Sequence, residues 1–108
     1  MIIVLRVLLH FFSAYQVIVL KATGGNEKLP PDYDFKLKDS EGASQSNLDF
    51  YICAEISNNP VHETTWKFTV GDEMNYGTYK NTALQRGKDY IVFQRALTDD
   101  KAESVSLV

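Results

Sequence analysis

Apolar positions alternate with polar ones along most of the chain, and the period is two. Trp66, Phe68 and Val70 share one parity while Lys67 and Thr69 take the other. Tyr90, Val92 and Ala96 repeat that spacing after the turn pair Arg86-Gly87. A period of two is the signature of strands with one face turned to a core. Tyr15, Val17 and Val19 interleave with Gln16, Ile18 and Leu20, and the density of β-branched residues predicts a strand over Tyr15–Ala22 that is buried on both faces. Tyr33, Phe35 and Leu37 alternate with Asp34 and Lys36, which predicts a short strand with one wet face. Phe50 to Ile56 reads as a further strand, and Val105 with Leu107 as a last one.

Turn chemistry falls between these runs. Thr23-Gly24-Gly25-Asn26, Pro30-Pro31, Ser57-Asn58-Asn59-Pro60, Gly71-Asp72 and Tyr76-Gly77 each interrupt the alternation. The stretch Lys38–Asn47 is small, polar and glycine-containing, and is expected to be a surface loop. No segment past residue 22 sustains a helical period, so the chain is expected to be all-β. Its 108 residues suffice for one domain, near the length at which a β-sandwich closes.

Residues 1–20 break the pattern because they are almost continuously apolar. The length matches a membrane helix, yet Arg6 and His10 fall inside the run, where a central charge costs about 2.5–3.5 kcal/mol. A secretory leader would carry its basic residue ahead of the apolar core and small residues at the cleavage point. Here Arg6 lies within the core, and Phe12-Ser13-Ala14 places a bulky residue at −3. For residues 1–12 three readings stay open: a decayed leader, a substitute strand, or sequence foreign to the domain.

Trp66-Lys67-Phe68-Thr69-Val70-Gly71-Asp72, followed by Leu84-x-x-Gly87-x-x-Tyr90-x-Val92-x-x-x-Ala96, resembles the E and F strands of a fibronectin type III domain. Tyr15-Gln16-Val17-Ile18-Val19 fits its strand C. Phe50-Tyr51-Ile52-Cys53-Ala54-Glu55 fits the stretch after the C–C′ region, and Tyr76-Gly77-x-Tyr79-x-Asn81 leads toward strand F. Taken in order, the set is similar to the membrane-proximal such domain of receptor-type protein tyrosine phosphatases. The resemblance implies an all-β, immunoglobulin-like β-sandwich, with residues 14–108 a partial fibronectin type III domain and residues 1–13 an apolar segment of open role. Trp66, Phe68, Val70 and Leu84 are then expected in the core. The Tyr90 hydroxyl is expected to tie the E–F crossover to backbone as a tyrosine corner.

Three departures stand out. Strands A and B of that fold, with the tryptophan usual in strand B, are missing or replaced by residues 1–12. Gln94 falls at an inward position, and the C–C′ loop has no dibasic run. Losing two strands forfeits four to six inward side chains, at about 1.5–3 kcal/mol each. That sum rivals a whole domain's stability of about 5–15 kcal/mol. Either residues 1–12, with Ile2, Val4, Val7 and Leu9, fill the gap, or the chain is a fragment that folds poorly alone.

Candidate chemistry is sparse. Cys53 is the sole cysteine, so no disulfide forms within the chain. Phosphatase chemistry would need an arginine six residues after its cysteine, and that position is Asn59. A pairing of Cys53 with His62 is the one nucleophilic arrangement to examine, against a plain buried thiol. Asp32, Asp34, Asp39, Glu41 and Asp49 lack the spacing of a calcium loop and read as solvated acids. With a net charge of −3 and scattered basic residues, nothing favours nucleic acid.

The expectation is a non-catalytic cell-surface adhesion or spacer module from a receptor phosphatase-like ectodomain, on the extracellular face of the plasma membrane or secreted. No catalytic, metal or cofactor residues are expected. Its partner would be a protein ligand met through the loops Gly24–Pro31 or Asp39–Asn47, with membrane contact only through residues 1–20 or a parent receptor. The rival is a small membrane-anchored or secreted protein with residues 1–20 as anchor or signal.

Overall fold

In the computed structural model, residues 1–6, 14–22, 28–57, 65–98, 101–102 and 105–108 are described. Strand β1 (Ile2–Arg6) is followed by β2 (Ala14–Ala22), a single helical turn α1 (Tyr33–Lys36), the short helix α2 (Ser40–Gln45) and β3 (Phe50–Ser57). Next come β4 (Thr65–Thr69), the hairpin β5 (Asn75–Tyr76) and β6 (Tyr79–Lys80), the long β7 (Asp89–Thr98), and the short β8 (Lys101–Ala102) and β9 (Ser106–Leu107). One sheet runs β3-β2-β7-β8, with β9 also on β7, and β1 pairs β4 in a second layer. All pairs are antiparallel, and the architecture is an all-β sandwich.

The expected two-sided burial of the Tyr15–Ala22 strand is present. Ala14 to Leu20 are all buried, with β3 on one side and β7 on the other. Val17 and Val19 face inward, where Leu5, Phe68, Val70, Ala54 and Val92 close the core between the layers. Ile18 and Leu20 face outward, yet they too are covered. Phe50, Ile52 and Phe93 join them, and Leu29, Tyr33, Leu37 and Leu48 pack over the top.

Strand β1 forms within the residues that the sequence left open and builds a second layer with β4. It pairs β4 from Ile2 opposite Thr69 to Arg6 opposite Thr65, the neighbour position of strand B to strand E in immunoglobulin-like order. The inward residues differ from those expected. Leu5 is buried and Ile3 packs on the core, whereas Ile2 and Val4 lie on the solvent side. Strand parity decides this: Ile3 sits opposite buried Phe68 and shares its face. Val7 and Leu9 lie outside the described residues.

Two elements correct the sequence reading. The strand expected over Tyr33–Leu37 is a helical turn, and Phe35 is 93% exposed. Tyr33 and Leu37, four residues apart, are the pair that reaches the outer cluster, so the spacing in use is that of a helix. Pro31 stands just ahead of the turn, and an Asp32–Lys36 ion pair of 3.1 Å spans it. The loop expected over Lys38–Asn47 contains α2, whose first turn is capped by the Asp39 carboxylate accepting from the Gly42 amide at 2.8 Å. Ala43 is its one buried residue. The strands at Ala14–Ala22, Phe50–Ser57, Thr65–Thr69 and Asp89–Thr98 fall where expected, the last one expected is shortened to Ser106–Leu107, and β5, β6 and β8 were not expected.

A bulge sets the parity of β3. Val17 pairs Ala54 while Ile18 pairs Ile52, so Cys53 is the extra residue. Cys53 and Ala54 both pack inward as a result, and Glu55 is switched to the outer face, opposite Gln16. Without the bulge, the carboxylate would be driven into the core.

Because Leu5 is buried and Ile2 is exposed, the two should respond differently. Leu5→Ala is expected to cost about 2–5 kcal/mol, and Ile2→Ala to stay within about 0.5 kcal/mol, as read from urea unfolding midpoints.

Candidate functional site

The segment from Thr69 to Tyr90 carries the chain across from one layer to the other, and its turns are held by side chains. Asn81, fully buried, accepts from the Gly71 amide at 2.8 Å. Its own amide donates to the Thr69 carbonyl at 2.7 Å and to the Asp72 carboxylate at 2.9 Å. Asp72 also accepts from the Met74 amide and from the Tyr76 hydroxyl. Gly71 has φ +87°, and a Cβ there would come within 3.2 Å of Leu84, so glycine is required on both counts. The Tyr76 hydrogen bond, followed by those of Met74 and Asn81, holds the Asp72 carboxyl below its ordinary range against the effect of burial. The same bond pushes the Tyr76 phenol up to about 12.

Further along, the Gln85 amide donates to the Tyr90 hydroxyl at 2.9 Å, a phenol bonded to backbone five residues upstream. Tyr90 and Leu84 are half-buried against the inner core, where Phe68 and Val70 are buried. The backbone of Trp66 pairs Leu5 in β4, and its side chain lies outside the described residues.

Beside Tyr90 opens a cleft of about 240 Å³ between α2 and residues 82–85, lined among others by Lys21, Ser40, Tyr51, Gln85 and Tyr90. The Ser40 and Thr82 hydroxyls meet at 2.6 Å across one end, and the Lys21 ammonium donates to Gln85 at 3.4 Å. Burial, with Cys53 and Tyr90 nearby, pushes the Tyr51 phenol far up. The cleft is lined by hydroxyls with one cation, Lys21, and one carboxylate, Asp49.

On the outer face a polar row crosses three strands. The Gln16 amide donates to Glu55 at 2.8 Å, and the Arg95 Nε donates to the Gln16 carbonyl oxygen at 2.8 Å. The Arg95 guanidinium then reaches Asp34 at 2.5 Å and lies 5.7 Å from the Tyr33 ring centroid. Arg95 is buried, so these partners satisfy a charge taken out of water and pin α1 to β7. Gln94, flagged by sequence as inward, is buried opposite Val17. Asn81, Arg95 and Gln16 have roles the sequence reading missed. The available signals were polar residues on the parity of neighbouring apolar ones, Gln16 with Ile18 and Arg95 with Phe93.

Cys53 is a packed thiol. It is fully buried at the bulge, and burial, with a smaller contribution from Asp72, pushes its thiol up to about 12 despite a backbone hydrogen bond. His62 and His10 lie outside the described residues. Of the five acids, Asp32 pairs Lys36, Asp34 pairs Arg95 and Asp39 caps α2. Among the described residues no group of three His, Cys, Asp or Glu is placed to hold a metal.

Residues 10–106 match the family described as the receptor-type tyrosine-protein phosphatase U Fn3 domain, and the chain belongs to that family. Strand β1 precedes the matched residues.

Asn81→Ala takes the partner from the half-buried Gly71 amide and from the Thr69 carbonyl, and is expected to cost about 1–3 kcal/mol. Urea unfolding measures it. Stability is also expected to fall in alkali. Cys53 titrates from 9.0 in the unfolded chain and Tyr76 from 10.0, and both are raised to about 12 in the fold. The folded state thus holds these protons more tightly. The contribution is whole below pH 9 and is lost as pH climbs to about 12. In Cys53→Ala the part of the fall that begins near pH 9 should disappear from urea midpoints taken across this range.

Proposed function

We propose that the chain is a non-catalytic interaction or spacer module, acting on the extracellular face of the plasma membrane within a receptor, or in secreted form. Family membership supports the receptor context, because Fn3 domains are non-catalytic modules of phosphatase ectodomains. One structural observation carries the passive role: the crossover from β4 to β7 is fixed at both ends, by Asn81 and by the Tyr90 hydroxyl. A crossover fixed in this way holds the adjoining cleft and α2 at constant separation from the sheets. That is the requirement for displaying a surface, or for keeping neighbouring modules apart.

A protein ligand would be met at α2 and residues 82–85, where the hydroxyl-lined cleft opens. α2 lies in Asp39–Asn47, one of the two loop regions expected from sequence, and residues 24–27 of the other, Gly24–Pro31, lie outside the described set. The anchor reading of residues 1–20 conflicts with the fold, since residues 14–20 lie in an interior strand of the sheet. Among the described residues no helix is long and apolar enough to cross a membrane.

An antibody against residues 39–47 is expected to stain intact cells that make the protein, or to recover it from their medium. Staining that appears only after permeabilisation overturns the placement. The purified chain should release no phosphate from a phosphotyrosine peptide, and turnover abolished by Cys53→Ser would overturn the passive role.

A further inference from the structure

Strand β1 lies ahead of the family match and pairs on one side only among the described residues. Its hydrogen-bond phase identifies what the other side presents. The Val70 amide donates to the Met1 carbonyl at 2.7 Å, and the Met1 amine faces the Val70 carbonyl at 3.5 Å. Antiparallel ladders alternate bonded and non-bonded pairs, so Ile3 and Leu5 share the phase of Met1. The backbone N–H and C=O groups of Ile2, Val4 and Arg6 therefore point to the open edge. Ile2 is 70% and Val4 49% exposed on the outward face. Natural edge strands are guarded by charge, proline or a bulge. Met1–Leu5 carries no charged side chain, no proline and no bulge, and its one charge is the Met1 ammonium at the strand's end.

We propose that this edge pairs antiparallel with the same edge of a second copy of the chain, across a twofold axis through Ile3. The register places Ile2 opposite Val4 of the second copy, and both are in the phase that exchanges hydrogen bonds. Met1 then faces Leu5, so residues about the axis match apolar with apolar, Ile2 with Val4 and Met1 with Leu5. No charged side chains meet within the paired residues, and the Met1 ammonium of each copy stands at the end of the contact, beside Arg6 of the other. Arg6 falls beyond the paired residues, and Lys67, opposite Val4 in β4, stands three strand spacings from its twofold mate. Three spacings are about 14 Å, beyond the screening length of about 8 Å at physiological salt. A twofold edge contact of this kind consumes both open edges and closes at two copies.

Sedimentation of the full chain over a concentration series should show the mass rise twofold and then stop. Val4→Pro, which removes an edge N–H not bonded to β4, should keep the mass at one copy, while Phe35→Ser should leave the twofold rise unchanged. Amide exchange of the unaltered chain supplies a second reading: the Val4 amide should gain at least tenfold protection on concentration, and the Ile3 amide should not change. A mass that stays at one copy, a rise past two, dimers that survive Val4→Pro in a folded chain, or dimers lost with Phe35→Ser would each overturn the proposal. So would concentration-independent exchange at Val4.

Discussion

The fold depends on covering a strand twice. β2 is an interior strand of its sheet, and from Ala14 to Leu20 every residue is buried, on both faces. A sandwich normally needs its second layer on one side only, with the other side polar. Here the outer side of β2 carries Ile18 and Leu20, so a second cover is needed there. The covering segment runs from Leu29 to Leu48, and its helical turns follow from that task. Its anchors Tyr33 and Leu37 must both point down at the sheet while the chain between them faces water. The inner cover is completed by β1, whose Leu5 is among the most deeply buried side chains.

The bulge at Cys53 reconciles these two demands in β3. This strand must deliver Phe50 and Ile52 outward, then Cys53, Ala54 and Ile56 inward, with Glu55 outward between them. A regular pleat cannot do so, because parity alternates without exception. One inserted residue shifts the parity, and the residue at the insertion is small enough to be buried beside Ala54. The thiol's chemistry follows from that packing position. A sulfur shut off from water holds its proton more tightly, as suits a packing residue.

Much of this was legible in the chain, for identifiable reasons. The strands at Ala14–Ala22, Phe50–Ser57, Thr65–Thr69 and Asp89–Thr98 announce themselves because burial on a pleated sheet imposes a period of two. The turn at Gly71-Asp72 is equally plain. What misled was the Tyr33–Leu37 segment, where five residues fit either period and only the position of the sheet beneath decides between them. The parity of β1 was hidden for a similar reason: Ile2 to Leu5 are all apolar, so register, not composition, selects Leu5 over Ile2. Parity with Phe93 marked Arg95 as a candidate, but the partners of Asn81 and Arg95 were hidden because they lie 9–12 and 61–79 positions away in sequence.

The two kinds of polar burial in this molecule have different consequences for motion. Asn81 binds only within its own crossover, between Thr69 and Asp72, so its bonds fix a local shape that survives small shifts of the sheets. Arg95 binds across β2 to Gln16 and out to α1 through Asp34, and its bonds hold only while those parts keep their relative positions. Asp34 is the exposed end of that row, at 67% side-chain exposure, so water competes most strongly there. The outer cover should therefore loosen from α1 before the crossover does. The surface beside Tyr90 then keeps its shape under conditions that already free Phe35 and its neighbours.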